Sequence, residues 1–574
     1  MKKELLAIFS IFIVSAVLSW PLTKPGLYQI HDDQQTARLF LFDKALREGQ
    51  FPVRWVDELG FGYGYPLFVF YPPLVYGLGE IFHFLGFGFI DSVKIVFFLG
   101  IFASGLAMYV FAKELWGRLP AMISAFFYMI IPYRAIDVYI RGALAESFAF
   151  VWLPLILWSF LKIQQTLKFR YVLYAAAFLA FLMITHNLIF LPFMLLLPFY
   201  LLFLIINSPN KKLATSYQLL ATILAFALSA FFWLPALLEK KHTIVDNLLI
   251  VSLANYNIHF VYPQQLWNWA WGFGGSAEGL ADGISFKIGK LHVLISIVTL
   301  ILAVIYLLIK RAKNSLSIVN CQLTIVFFLL FAFSAFMTTS YSKFIWDRIP
   351  PLGYLQFPWR FLTFTALFSS SLAGAFVYLL KVPIVKMVAA AVLIFLLFIP
   401  NLKLFKPQTY RFYLTDEKAT AADVINWDIS FSSFEYLPKG IELYRGPLGT
   451  NLVNIDKTDI PSQKIEVFRG QAEIKTQEAK SHRLILTADS ENQAKLQANI
   501  FNFPGWQVRV NNQNVPIVDN NRLKLITFSL PSGNDRVNIE FKNTPARTIA
   551  NIISLAAFVS VILIVFSRWR KVKH

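Results

Sequence analysis

The sequence predicts an all-α polytopic membrane protein with a C-terminal β-sandwich domain and one final membrane span. Of its 574 residues, 57% are hydrophobic and only 15% are charged, a composition outside the range of ordinary soluble domains. Runs of the apolar length that crosses a bilayer, roughly 20 residues, recur along residues 1–400. Between 401 and 547 apolar and polar residues alternate instead, which indicates strands, and a last apolar run follows.

Twelve apolar runs are long enough to form membrane helices. The first favours an uncleaved anchor over a cleaved secretory signal, since the run is long and no clear small-residue cleavage site ends it. The stretch 65–86 is rich in Pro, Gly and Tyr and is consistent with an interfacial or re-entrant arrangement. If this stretch crosses the membrane, the number of membrane spans is 13. The predicted spans are residues 4–22, 91–112, 119–133, 144–162, 171–186, 188–206, 213–236, 291–310, 317–339, 358–380, 383–400 and 548–567.

Short cationic clusters between the apolar runs account for the net charge of +19. With the amino terminus inside, every cluster falls on the cytoplasmic side, as the positive-inside rule requires. The charge therefore sets orientation, and no nucleic-acid partner is expected. The clusters are Lys113 and Arg118, Lys162 with Lys168 and Arg170, Lys211 and Lys212, Lys310 to Lys313, Lys381 with Lys386, and Arg568 to Lys573. The regions predicted to face outward are 23–90, 134–143, 237–290, 340–357 and the whole domain 401–547.

The predicted outward domain carries several short alternating runs separated by turn formers. Residues 537–541 alternate apolar and polar side chains, and Asn511 and Asn512 follow a similar run at 506–510. Strands of this kind joined by tight turns are typical of a small β-sandwich. Its role is either carbohydrate binding or a structural cap on the membrane module. The single cysteine, Cys321, lies in an apolar run, so no disulfide can form within one chain.

Asp32 and Asp33 directly follow the first apolar run. A carboxylate at the mouth of a membrane protein is costly to place and can accept a proton in general base catalysis. These two residues are therefore the catalytic candidates. The alternative is that one of them caps a helix, a role that Asp performs well.

The short loop 134–143 and the start of the next helix hold two arginines and two carboxylates. Arg134 and Arg141 offer guanidinium forks that suit an anionic substrate group, and Asp137 and Glu146 offer the oxygen ligands that a divalent ion such as Mg or Mn prefers. A salt bridge at the membrane edge explains the same residues. The loop is thus a candidate substrate site and a candidate metal site.

Three further residues at predicted outward helix ends are candidates for substrate binding. His186 lies at the turn of a tight helical hairpin, Glu239 begins the long loop 237–290, and Arg360 opens a span from outside, at the height of a lipid phosphate. A structural hydrogen bond or a side chain reaching for the headgroups explains each of them equally well. Phosphate-cradling, zinc-protease and nucleophile-elbow motifs are missing from the sequence, which disfavours ATP-driven transport and metallopeptidase chemistry.

Several short motifs together resemble the GT-C superfamily of polytopic glycosyltransferases. They are the acidic pair after the first span, Gly-Tyr-Pro at 64–66, Tyr-Pro-Pro at 71–73 and the acidic loop 132–146. Within that superfamily the chain looks most like the bacterial membrane proteins labelled 6-pyruvoyl-tetrahydropterin synthase-related, through residues 356–360, 435–438 and 503–506. The resemblance covers most of the chain.

The resemblance implies transfer of a sugar from a polyprenyl-phosphate donor to a lipid, glycan or protein acceptor, on the extracytoplasmic face of the bacterial cytoplasmic membrane and among its lipids. It gives Asp32 or Asp33 the role of general base or metal ligand. It also points to Asp137 and Glu146 as metal ligands, although the loop lacks a compact Asp-x-Asp or Asp-x-Glu. The rival functions are a lipid-linked glycan flippase or transporter, which predicts charges deep within the spans, and a non-catalytic scaffold for envelope assembly.

Overall fold

Long apolar helices build the first four hundred residues of the computed structural model, which describes residues 2–246, 255–309, 315–445 and 451–573. Cationic residues 310–313 lie outside the described residues. The longer helices are α1 (Lys2–Leu18), α2 (Gln35–Arg47), α3 (Leu74–Phe84), α4 (Phe89–Trp116), α5 (Arg118–Ile130), α6 (Leu144–Thr166), α7 (Arg170–Thr185), α8 (Asn187–Ile206), α9 (Lys211–Leu228), α10 (Ala230–Glu239), α11 (Lys290–Ile309), α12 (Ser315–Met337), α13 (Leu362–Leu379), α14 (Pro383–Asn401) and α15 (Pro545–Lys573).

The predicted polytopic membrane protein is confirmed, and each predicted span coincides with one of these helices or with a bent pair. In the described part of the chain, eight helices are long and apolar enough to cross a membrane, or up to ten if each of two bent pairs is one span. The bent pairs are α5 with residues 132–141 and α9 with residues 230–242. The two remaining predicted spans are the shorter helices α1, of 17 residues, and α7, of 16 residues.

The stretch 65–86 forms two short helices rather than a membrane span. The first is Leu67–Phe70, and Pro72 and Pro73 separate it from α3. The 11 residues of α3 reach only about 16 Å at 1.5 Å per residue, about half the hydrocarbon thickness of a bilayer. α3 packs against α2 and α4, so this stretch supports the loop that leads out of α1.

The chain bends after α5 and enters the region of the second predicted outward loop. Ile131 is extended, as expected of a residue before proline, and the short helix Pro132–Ile136 leads into a π-helical turn, Asp137–Arg141. Gly142 ends the turn in the left-handed region, with φ of 68°. A Cβ atom there would meet the Ile30 side chain at 2.4 Å, so glycine lets this turn approach the segment after α1 closely.

The C-terminal region contains the predicted β structure, in two larger antiparallel sheets. One joins, in order, residues 513–515, 506–510, 533–541, 483–490 and 473–480, and the other joins residues 525–530, 494–501 and 465–469. Alternate residues of both sheets, such as Leu486 and Leu496, belong to one buried apolar cluster. The strands are β1 (Leu27–Tyr28), β2 (Tyr410–Arg411), β3 (Leu443–Arg445), β4 (Asn451–Val453), β5 (Ile465–Arg469), β6 (Glu473–Lys480), β7 (Arg483–Ser490), β8 (Ala494–Phe501), β9 (Trp506–Val510), β10 (Gln513–Val515), β11 (Leu525–Leu530) and β12 (Gly533–Phe541).

The C-terminal region packs directly on the loop between α1 and α4. β1 of the loop pairs with β2 in an antiparallel ladder. Trp55 of the same loop packs edge-on against Trp506 at 5.3 Å and lies 5.2 Å from the ring of Phe541. These contacts hold the segment that contains Asp32 and Asp33 between the helices and the β region.

Candidate functional site

A buried group of polar side chains surrounds the carboxylate of Glu146 at the start of α6. Tyr133 donates a hydrogen bond to Oε1 at 2.5 Å, and Nη1 of Arg141 donates to Oε2 at 2.9 Å. Arg360 Nε lies 3.5 Å from Oε2 and Thr363 donates to Oε1 at 3.4 Å. Glu146 has no exposed surface. We call this group, with Asp32, Asp137 and His186, the Glu146 cluster.

Arg141 lies between two carboxylates of the cluster. Its Nη1 donates to Asp137 Oδ1 at 2.6 Å as well as to Glu146, and its guanidinium carbon lies 4.5 Å from the centre of the Trp359 ring. Among the described residues, every side-chain hydrogen bond of Arg141 uses Nη1. The Nε and Nη2 edge of this guanidinium is therefore available to a ligand, while two anions fix its position.

Asp32 lies beside Arg141 because the two backbone segments are hydrogen bonded. The amide of Asp32 donates to the carbonyl of Arg141 at 2.8 Å, and the amide of His31 donates to Ile140 at 3.0 Å. The charge of Asp32 acts on both Arg141 and Arg360. The structure thus brings together one carboxylate from the segment after α1 and two guanidinium groups from other helices.

Arg360 also keeps part of its guanidinium uncommitted. Its Nη1 donates to the carbonyl of Leu355 at 2.6 Å, which fixes the side chain in the turn before α13. In the described chain its buried Nε has no hydrogen-bond partner, and Nη2 makes none either. Within the described residues, Arg141 therefore keeps its Nε and Nη2 edge without a hydrogen bond, and Arg360 keeps Nη2.

His186 joins the cluster as a neutral neighbour. It precedes α8, where its Nδ1 accepts a hydrogen bond from the amide of Ile189 at 3.1 Å, and its Nε2 lies 3.9 Å from Glu146 Oε2. Because Nδ1 accepts this hydrogen bond, the proton of the neutral imidazole lies on Nε2, which can donate a hydrogen bond.

Asp33 differs from Asp32 in its surroundings. Its carboxylate lies 3.6 Å from Arg411 of β2, and its side chain is 40% exposed. Burial raises the pKa of Asp33, and Arg411 opposes that effect. Of the predicted catalytic pair, Asp32 is the residue whose charge acts on both Arg141 and Arg360.

Two predicted substrate-binding residues, Arg134 and Glu239, lie outside the Glu146 cluster. Arg134 is fully buried and donates to the carbonyls of Ser147 and Gly100. Residues seven apart share a face of a regular helix, but the change to a π turn at Asp137 separates Arg134 from Arg141. Glu239 is bonded instead by Arg547 at the start of α15, at 2.7 Å. These contacts give both residues a structural role, and substrate binding by them stays a prediction.

The donor set of Asp137 and Glu146 does not fit the predicted divalent metal. Arg141 occupies the position between the two carboxylates, and Arg360 adds a second positive charge beside Glu146. A divalent cation there would be repelled by both guanidinium groups. In the described ranges no group of three or more His, Cys, Asp or Glu side chains is arranged to hold a metal ion. The two carboxylates position Arg141.

Sequence reasoning missed several residues of the site. Tyr133 is the neighbour of Arg134 in the same loop, and Thr363 lies one helical turn after Arg360, so both could have been found by their spacing from chosen residues. A second polar group lies around Arg38 of α2, and the spacing of its members in the sequence does not relate them to the chosen residues. Arg38 and its partner Ser433 are 395 residues apart in the chain.

Solved structures of membrane glycosyltransferases share a distant likeness with this chain. The oligosaccharyltransferase of Archaeoglobus fulgidus in the apo form is 13% identical, with a TM-score of 0.44, over 72% of this chain and 56% of that chain. Arabinofuranosyltransferase AftD from Mycobacteria is 14% identical, with a TM-score of 0.42, over 70% of this chain and 27% of that chain. ArnT from Cupriavidus metallidurans bound to undecaprenyl phosphate is 12% identical, with a TM-score of 0.27, over 65% of this chain and 78% of that chain.

The aligned part spans about half of the oligosaccharyltransferase and about a quarter of AftD. No protein-family model matches the chain, and the search of curated proteins finds no match either. The resemblance to the pterin synthase-related proteins therefore stays a prediction. At this distance the likeness alone assigns neither a reaction nor a substrate.

Proposed function

We propose that this protein transfers a sugar from a polyprenyl-phosphate-linked donor to a lipid, glycan or protein acceptor. The observation that carries the proposal is the set of donors that Arg141 (Nε and Nη2) and Arg360 (Nη2) leave without a hydrogen bond at their guanidinium edges, with the charge of Asp32 acting on both groups. Arginine binds phosphate oxygens through such edges, and a carboxylate nearby can accept the proton of a hydroxyl.

In the proposed reaction, the acceptor oxygen attacks the anomeric carbon of the sugar as Asp32 takes the hydroxyl proton. A carbon–oxygen bond forms to the acceptor, and the bond between the anomeric carbon and the phosphate oxygen breaks. The departing polyprenyl phosphate keeps that electron pair and gains one negative charge. Arg141 and Arg360 stabilise this charge as it develops, which is an electrostatic contribution made mainly in the transition state.

Asp137 and Glu146 support the reaction by holding Arg141 in place. A buried guanidinium without anionic partners would be strongly disfavoured. The two carboxylates bind a single nitrogen atom of Arg141, so they stabilise its charge without consuming its second edge. His186, which is neutral, does not compete with the phosphate for the two arginines.

We place the reaction on the extracytoplasmic face of the bacterial cytoplasmic membrane. The cluster lies where α5 ends, α6 begins and α7 turns into α8, and where α13 begins. The cationic residues near the ends of α4, α6, α8 and α13 lie at the opposite helix ends. By the positive-inside rule those ends face the cytoplasm, which puts Asp32 and Arg360 outside.

Replacement of each aspartate in turn tests the proposal. Asp32→Asn should lower kcat for sugar transfer from polyprenyl-phosphate sugars by about 10²- to 10⁴-fold, with little change in donor binding, because it removes the base. Asp33→Asn is the matched control and should stay within about fivefold of wild type, since it removes only a half-exposed ion pair. Full activity of Asp32→Asn would refute the assignment.

A further inference from the structure

Beside the Glu146 cluster lies a second group of polar and aromatic side chains around Arg38. Arg38 is 2% exposed; its Nη2 donates to Ser433 at 3.1 Å, and its guanidinium carbon lies 4.1 Å from the centre of the Tyr71 ring. Tyr76 and Glu435 also act on its charge. We call Arg38, Tyr71, Tyr76, Ser433 and Glu435 the Arg38 cluster.

The two clusters are physically continuous. Gln35, one turn before Arg38 on α2, donates to the carbonyl of Gly142 at 3.0 Å and accepts from the Tyr76 hydroxyl at 2.8 Å. Gly142 directly follows Arg141, whose guanidinium lies in the Glu146 cluster. On the other side, Tyr436 is close enough to both Arg38 and Arg360 for their charges to act on it. The Arg38 cluster is therefore the next polar surface beyond Asp32.

The members of the Arg38 cluster do not supply all of each other's hydrogen bonds. The buried Nε of Arg38 has no hydrogen-bond partner within the described residues. Tyr71, Glu435 and Tyr436 are half-buried rather than buried, so an open face of the cluster remains. An unpaired donor on a buried cation costs free energy unless a ligand or water completes it.

The chemistry of the Arg38 cluster suits a neutral sugar ring. Arg38 offers donors and Glu435 offers acceptors, a combination that can bond neighbouring hydroxyl groups, and Tyr71 offers an aromatic surface. The charges of Arg38 and Glu435 sum to zero, whereas Arg141 and Arg360 offer two positive charges to a phosphate. An anionic group would meet the carboxylate of Glu435, so the cluster does not suit a second phosphate.

We propose, resting on the function proposed above, that the Arg38 cluster binds a neutral sugar ring beside the phosphate site. The ring belongs either to the donor or to a glycan acceptor, and the chemistry of recognition is the same for both. Ser433 and Glu435 come from the segment 433–438, which packs through Tyr436 on Phe70 at 4.7 Å. Residues far apart in the chain thus complete one sugar subsite.

The donor arm of the test measures the affinity of the full-length protein for polyprenyl phosphate and for polyprenyl-phosphate mannose. Glu435→Gln and Arg38→Gln each remove a charged hydrogen-bonding partner, so each should weaken sugar-dependent binding roughly tenfold. Affinity for polyprenyl phosphate itself should not change. Glu473→Gln and Arg469→Gln, at exposed positions of the β region, are the matched controls.

The acceptor arm measures KM for a neutral oligosaccharide acceptor in the same variants. A raised acceptor KM with unchanged donor affinity assigns the subsite to the acceptor and supports the inference. Equal weakening of both lipids would indicate a merely structural role and overturn it, as would unchanged affinity and unchanged KM. Failure of the wild-type protein to bind polyprenyl phosphate would instead overturn the function proposed above, so the two failures are distinguishable.

Discussion

At the residue scale, the proposed phosphate site depends on how one guanidinium divides its hydrogen bonds. Nη1 of Arg141 binds both Asp137 and Glu146. The edge formed by Nε and Nη2 makes no hydrogen bond among the described residues. Lysine has a single ammonium and cannot hold two carboxylates with one nitrogen while presenting a planar pair of donors to a phosphate. The arrangement therefore requires arginine and not merely positive charge.

Arg141→Lys should weaken binding of polyprenyl phosphate by about 10- to 100-fold, the value of one or two charge-assisted hydrogen bonds. Titration of the detergent-solubilised protein with polyprenyl phosphate measures the effect. Arg469→Lys, on the exposed surface of the β region, is the control. Unaltered affinity in Arg141→Lys would contradict the role of this residue.

Removal of divalent ions should leave the initial rate of sugar transfer unchanged. The reason is that Arg141 and Arg360 already neutralise Asp137 and Glu146, which leaves the pair no free charge for a cation. The measurement compares the rate before and after treatment with a chelator and again after Mg²⁺ or Mn²⁺ is restored. A rate that collapses with the chelator and returns with the metal would show that the metal prediction was right.

Glu80 of α3 offers a pH-dependent test away from the site. Burial and the neighbouring carboxylate of Asp43 raise the pKa of Glu80 to about 7, so the folded protein holds a proton that the unfolded chain releases at lower pH. Glu80 therefore costs stability at pH 8, and this cost falls as pH drops through 7 and is gone below the ordinary Glu pKa of 4.5. Glu80→Gln should raise Tm at pH 8 and approach wild type as pH falls below that ordinary value of 4.5. An equal shift at both values would contradict the ionisation argument.

At the element scale, helix ends determine which side chains meet. The predicted spans correctly place the ends of α5, α7 and α13, and with them Arg141, His186 and Arg360, because apolar length and cationic loops fix which end of a helix faces which side. They do not fix the direction of a side chain at that end. Arg134 is directed to the carbonyls of Ser147 and Gly100, a direction that hydrophobic periodicity does not reveal.

The membership of the Arg38 cluster was likewise beyond sequence reasoning. Glu435 and Ser433 lie in an irregular segment whose position depends on contacts with Tyr65 and Phe70. No periodic pattern connects them to α2, and a pairing across 395 residues is set by tertiary packing alone. The strands of the β region, by contrast, follow from their alternation, since every second side chain of β7 is buried.

The contact between α10 and α15 is a test of stability at the element scale. Glu239 accepts hydrogen bonds from Arg547 at 2.7 and 2.9 Å and from Thr544 at 2.6 Å, and Arg547 is fully buried. Glu239→Gln leaves a buried cation without its anion, so it should lower the free energy of unfolding by about 3 kcal/mol. Thermal and denaturant unfolding measure the change, with Glu473→Gln as control. A negligible effect would mean that the pair is solvated.

At the scale of the whole molecule, polar chemistry and cationic loops lie at opposite ends of the helices. The Glu146 cluster and the β region share one end, because β1 and β2 connect them. The exposed lysines between α8 and α9 lie at the other end. This separation suits an enzyme whose lipid-linked substrate is present on one face of the membrane only.

Cysteine labelling tests that orientation. The chain has one cysteine, Cys321, which is buried, so the background should be low. A membrane-impermeant thiol reagent applied to spheroplasts should label Ser532→Cys, in the exposed turn between β11 and β12, and spare Lys212→Cys. Inside-out vesicles should give the reverse pattern. Labelling of Lys212→Cys in spheroplasts would place the Glu146 cluster in the cytoplasm.

The ladder between β1 and β2 has a consequence for biogenesis. It anchors the amino-terminal aspartates to residues 410–411, which leave the ribosome only after the helices α1 to α14 have been synthesised. Until then, the entropy of closing so long a loop opposes the pairing, and the segment that carries the proposed base lacks its anchor on β2. The proposed transfer reaction would thus be absent throughout most of membrane insertion and would begin only once the distal ladder has closed.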